Sequence, residues 1–147
     1  MRPLLFLIPI LALPSCANMT MPEQNAAELA ALPAASACEA SLPFFGHFIN
    51  AGERIPMYAE PDGRITMRND GGWCSIRHQL VLNNTAVIGT FNLLQPPAHG
   101  QVVVGTLQGL ARIAYRPEPG FVGNDEFSVR VTNPMRDTIP VRVSVRP

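Results

Sequence analysis

An all-β fold, specifically an antiparallel sandwich, is what the sequence predicts, on three observations. Apolar and polar residues alternate with period two over several stretches beyond Leu42, the pattern of strands with one buried and one wet face. Turn signals separate those stretches: Pro61-Asp62-Gly63, Asn69-Asp70-Gly71-Gly72, Asn83-Asn84, Pro96-Pro97, Glu118-Pro119-Gly120 and Asn133-Pro134. Fifteen prolines and eleven glycines leave little room for long helices. About seven short strands in roughly 100 residues is the size of an immunoglobulin-like sandwich.

Residues 1–15, MRPLLFLIPILALPS, carry one charge at Arg2 ahead of an apolar run too short to span a bilayer, and read as an export signal. Leu13-Pro14-Ser15-Cys16 resembles the lipobox of bacterial lipoproteins, which makes Cys16 the expected lipidated N-terminus. Pro14 departs from that pattern and leaves cleavage after Ala17, with a secreted or soluble periplasmic product, as the alternative. The resemblance implies several acyl chains on one residue, enough for stable anchoring. Ala17 after the cysteine, in place of aspartate, implies an outer-membrane protein facing the periplasm.

Residues 16–41 are rich in Ala, Pro, Glu and Ser and read as a lipidated tether. Asn25 to Leu32 can form two helical turns that Pro33 ends, and helices that short are marginal alone. With Cys16 set aside, Cys38 and Cys74 remain in an oxidising compartment, so a disulfide between them is expected.

Residues 42–147 form the predicted domain. Its first stretch, PFFGHFINAGERIPMY, places Phe44, Phe45 and Phe48 over an open end or edge, and Pro56 confines any strand there to an edge. An aromatic patch for a partner is the alternative. Ile65 and Met67 then alternate with Arg64, Thr66 and Arg68. Cys74 and Ile76 face inward after the turn, with Trp73 on the opposite face and His78 on the Cys74 side. Ala111, Ile113 and Tyr115 alternate with Arg112, Ala114 and Arg116; Phe127, Val129 and Val131 with Glu126, Ser128, Arg130 and Thr132; Ile139, Val141, Val143 and Val145 with Pro140, Arg142, Ser144 and Arg146.

HGQVVVGTLQGLARIAYRPEPGFVGNDEFSVRVTNP followed by IPVRVSVRP resembles the bacterial Ig-like domains also described as cadherin-like repeats. The matching positions are Pro97, His99, Gly100, Tyr115, Pro117, Pro119, Gly120, Phe121, Gly123, Asp125 and Phe127, with Asn69 and Asp70 for the family's earlier Asn-Asp. The resemblance runs from about Ile55 to Pro147 and implies an Ig-like sandwich. Members of the family occur in tandem arrays in which acidic residues near domain junctions hold calcium. Here one copy is present, and Gly71-Gly72-Trp73-Cys74 replaces the acidic continuation. By their chemistry Tyr115 and Phe127 are core plugs, and Asp125 is an acceptor for N–H groups of its own turn.

The formal charge is zero, with acids and bases interspersed, which gives no nucleic-acid footprint. All eleven basic residues are arginine. Arg112, Arg116, Arg130, Arg142 and Arg146 can form a basic stripe or an ordinary solvated face. The histidines show no metal spacing, no CxxC pair or phosphate loop is present, and Asp125-Glu126 leave a strand on opposite faces. Asp70 most simply bonds its own turn. The expectation is therefore a non-catalytic envelope lipoprotein without cofactor or metal, binding another envelope protein or a glycan. The competing expectations are a small exported enzyme or metal-binding protein built on Asp70, His78 and His99, and a periplasmic inhibitor acting through arginine or phenylalanine patches.

Overall fold

The computed structural model describes residues 26–42, 45–50, 53–58, 62–82, 85–87, 89–133 and 137–147. The expected signal, Cys16, Ala17 and Phe44 lie outside these residues, as do the side chains of Phe45 and Phe48. Among the described residues, one short helix, α1 (Ala26–Ala31), precedes twelve strands. They are β1 (Cys38–Ser41), β2 (Phe45–Asn50), β3 (Glu53–Tyr58), β4 (Gly63–Arg68), β5 (Cys74–His78), β6 (Leu80–Leu82), β7 (Thr85–Val87), β8 (Thr90–Gln95), β9 (Gly100–Leu107), β10 (Leu110–Pro117), β11 (Gly123–Asn133) and β12 (Asp137–Arg146). The protein is all-β. No helix among the described residues is long and apolar enough to cross a membrane.

A five-stranded sheet in the order β1-β4-β12-β11-β8 and a three-stranded sheet β5-β10-β9 carry the core. The hairpins β2-β3 and β6-β7 form separate two-stranded sheets, so Pro56 occupies an edge strand. The large sheet is mixed: β4 pairs with β12 in parallel, Ile65 against Val143, whereas the other described pairs between named strands are antiparallel. A purely antiparallel arrangement was the expectation. Alternation reports which face of a strand is buried and carries no information on the direction of its neighbour.

Ile65, Met67, Phe127, Val129, Val141 and Val143 from the large sheet meet Cys74, Ile76, Val102, Ile113 and Tyr115 from the small one in a single core. The rings of Tyr115 and Phe127, one from each sheet, lie nearly parallel with centroids 6.0 Å apart. The disulfide Cys38–Cys74 joins the edge strands β1 and β5 of the two sheets and closes a loop of 36 residues.

Among the described residues, the segment from Ala26 to Ser41, assigned above to the tether, already packs against the sheets. Although α1 is too short to persist alone, Leu29 is fully buried beneath it. The Arg112 guanidinium donates to the Leu29 carbonyl, one of the groups that a helix end leaves without a partner. Pro33 then ends the helix, and Ala34 and Ala35 run beside Trp73: Trp73 N–H donates to the Pro33 carbonyl at 2.7 Å and Ala35 N–H to the Trp73 carbonyl at 3.0 Å. Gly72 permits this approach, since a Cβ there would stand 2.4 Å from the Ala35 backbone nitrogen. Residues 26–37 therefore form a strap across the outer side of the small sheet. The strap explains why β10 is buried on both faces, Arg112 and Ala114 included, where alternation alone predicted a wet face.

Candidate functional site

Two regions concentrate polar groups: the loops at one end of the core, and the outer face of the large sheet. In the loops, Asp125 is a hub. Its carboxylate accepts from Ala98 N–H at 3.0 Å, His99 N–H at 2.9 Å, Glu126 N–H at 2.9 Å and the Tyr115 hydroxyl at 3.0 Å. Burial pushes the Asp125 carboxyl up, but these donors together outweigh it and hold it below the ordinary range. Tyr115 moves the opposite way: burial first, then the bond to Asp125 and its charge, favour the neutral phenol. The expected role of Asp125 was confined to its own turn. The longer reach arises because β11 begins beside the β8–β9 connection, which presents two N–H groups together.

Around this hub the other residues of the family-like pattern are scaffolding. A Cβ on Gly100 would stand 2.5 Å from the Tyr115 ring, so the strand passes over the phenol only without a side chain. Phe121 N–H closes on the Glu118 carbonyl at 3.1 Å, and Gly120 has φ +79°, which with Pro119 makes a type II turn. Gly123 also adopts positive φ, and Pro117, paired with Gly100, ends β10. Phe121 stacks on the His99 ring at 4.5 Å. Asn69 ties the turn to β4, its side-chain amide donating to the Glu118 carbonyl at 2.7 Å and the Phe121 carbonyl at 2.9 Å.

Asp70 bonds its own turn, as expected, through Gly72 N–H to Oδ1 at 3.0 Å, and it also receives Ser36 N–H on Oδ2 at 2.6 Å. The Ser36 hydroxyl and N–H, followed by Gly72, lower its pKa to about 2. Trp73 is buried, with the Arg116 guanidinium 4.7 Å above its ring.

Asp70, His78 and His99 do not gather into one site. Asp70 and His99 belong to the loop end, near Asn69 and Phe121. His78 lies four residues along β5 from Cys74, about 13 Å away, where it meets the edge of Phe91 and burial lowers its pKa. Among the described residues, no group of three or more His, Cys, Asp or Glu is placed to hold a metal ion.

The arginines divide between the sheets, so Arg112, Arg116, Arg130, Arg142 and Arg146 do not form one stripe. Arg112 is buried under the strap, and Arg116 lies on Trp73 and donates to Gln101 at 2.8 Å. Arg64, Arg68, Arg130, Arg142 and Arg146 are exposed on the outer face of the large sheet. There a groove of about 780 Å³ runs between the sheet and the connection from Gln95 to His99, with Arg64, Thr66, Asn124, Glu126, Arg142 and Ser144 among its lining residues. A second hollow of about 500 Å³ shares Thr66 and reaches Arg68 and Arg146. Arg142 pairs with Asp62 at 2.7 Å. The sequence signals that these arginines are on wet faces. Their adjacency depends on the parallel pairing of β4 with β12, which nothing local encodes.

No family profile and no curated protein matches the chain. Among solved structures, an endo-fucoidan hydrolase of glycoside hydrolase family 107 is similar at 14% identity with a TM-score of 0.41, covering 69% of this chain and 14% of that one. The chain thus spans about one seventh of the length of that hydrolase.

Proposed function

We propose that this protein is a non-catalytic envelope lipoprotein module: an Ig-like, cadherin-like sandwich, held to the bacterial outer membrane through acylated Cys16, that presents the outer face of its large sheet to another envelope protein or a glycan. The observation that carries this reading is the division of polar groups between scaffold and surface. Asp70 and Asp125, the carboxylates that chemistry would need, are occupied by backbone N–H groups, and His78 sits at the far end from both. An open polar groove lies instead on the sheet face that the strap leaves uncovered.

Intact-mass spectrometry and membrane fractionation of the natively produced protein test the proposal. The expected result is a membrane-associated chain that begins at Cys16 and carries acyl mass. An unmodified soluble chain beginning at Asn18 would remove the anchor. Hydrolytic activity abolished by Asp70→Asn or His99→Gln in a folded protein would favour the exported enzyme.

A further inference from the structure

The register of the large sheet sets arginines side by side: Arg142 is the Cα partner of Arg64, and Arg146 of Arg68. Neighbouring strands lie about 4.8 Å apart, and like charges directly opposite each other destabilise a sheet. All four residues are exposed; Arg142 also pairs with Asp62 at 2.7 Å, and Arg68 Nε donates to the Pro147 carbonyl at 2.9 Å, contacts that leave further guanidinium N–H groups on each side chain facing outward. The two pairs are separated by four residues along the strands, about 13 Å, with Thr66 and Ser144, themselves Cα partners, between them. On the described part of this face five arginines stand against three acids, Glu39, Asp62 and Glu126, in a protein whose formal charge is zero.

Thr66 lines both hollows, and the strand register sets the two arginine pairs in line along β4 and β12 as one elongated track. That shape suits a chain molecule with repeated negative charge. Guanidinium forks match carboxylate and sulfate groups two bonds at a time. Between the forks the lining offers Thr66, Ser144 and Asn124, with Gln95 beyond the Arg64–Arg142 pair, hydroxyls and amides that bond sugar hydroxyls. Single-stranded nucleic acid would need aromatic platforms for its bases. The aromatic ring in the groove lining, His99, already has Phe121 stacked on it. An extended peptide would need apolar side-chain pockets or an open strand edge, and the track crosses β4 and β12, which are paired on both sides.

We infer that the outer face of β4 and β12 binds an acidic polysaccharide, whose carboxylate or sulfate groups are held by the Arg64–Arg142 and Arg68–Arg146 pairs. The inference rests on the reading of the chain as a binding module and names its ligand class.

Affinity electrophoresis and titration calorimetry of the full processed chain test it, with polygalacturonate, dextran sulfate and neutral dextran as probes. Retention by an acidic polymer, weakening as salt rises, with none by dextran, is the expected result; which acidic polymer binds better identifies carboxylate or sulfate. The double variant Arg64→Gln/Arg142→Gln should lose about tenfold in affinity at an unchanged urea midpoint, and Arg77→Gln on the other sheet should lose nothing. Glu126→Gln, which removes an acid facing Arg142, should bind about two- to threefold more tightly. Equal retention by dextran, equal affinity for polyglutamate or oligothymidylate, or a double variant that binds like the parent would overturn the inference. Absence of glycan binding in a chain that is acylated at Cys16 sinks this inference alone, whereas glycan binding by an unacylated soluble chain sinks the anchor alone.

Discussion

The Tyr115 hydroxyl donates to Asp125 Oδ2 at 3.0 Å, and the same carboxylate receives Ala98 and His99 N–H. One acidic side chain thus joins β10, β11 and the connection into β9. Asp125→Ala should cost about 1–3 kcal/mol, because it leaves the buried Tyr115 hydroxyl and the part-buried Ala98 and His99 N–H groups without their acceptor, and Tyr115→Phe about 1 kcal/mol. Urea unfolding of the two variants and the double mutant gives the coupling between them, which should be clearly non-zero.

The Cys38–Cys74 bridge closes 36 residues, a loop for which chain entropy puts the stabilisation at about 3–4 kcal/mol. Cys38→Ser/Cys74→Ser, or reduction of the parent, should lower the urea midpoint accordingly. An unchanged midpoint would mean that β1 and the strap hold without the bridge.

Acid should weaken the protein through Asp70 and Asp125. Both carboxyls are more acidic in the fold than in the unfolded chain, Asp70 at about 2. Their contribution is therefore complete above the unfolded carboxyl range near 4 and is lost as pH falls toward 2. Asp70→Asn should flatten the profile of urea midpoint against pH over that interval. Tyr115, favoured as the neutral phenol, acts with the opposite sign: stability should decline as pH rises past about 10, and less so in Tyr115→Phe.

The strap can be released at either of two places. Leu29→Ala removes its buried anchor and should cost about 2–4 kcal/mol at most. Gly72→Ala forces a methyl group into the Ala35 backbone, which cannot yield as a side chain would, and should cost at least about 1–3 kcal/mol. Trp73 is the only tryptophan, so its emission should shift to the red in either variant as the strap lifts. Limited proteolysis should then cut between Ala26 and Ala37.

Period-two alternation located β4, β5, β10, β11 and β12, because each has one face against a shared core and the other toward water or cover. Cysteine counting reached the disulfide for a similar reason, since only one pairing remained. The strap was not legible. Leu29 is a single apolar anchor among alanines and makes no stripe, and the burial of Arg112 follows from a segment more than eighty residues earlier in the chain. The Arg64–Arg142 neighbourhood was hidden in the same way, because a long-range parallel pairing decides it. Local pattern reports which side of a strand is dry and is silent on what lies over the other side.

The disulfide also determines what a pull on the N-terminal end can do. Tension entering at Ala26 would first peel α1 and then Ala34 and Ala35 from Trp73. It would stop at Cys38, where the load passes through sulfur into β5. Twelve residues, at most about 40 Å of slack, could pay out while both sheets stayed intact, so the staple works as a mechanical stop between the strap and the two sheets beneath it.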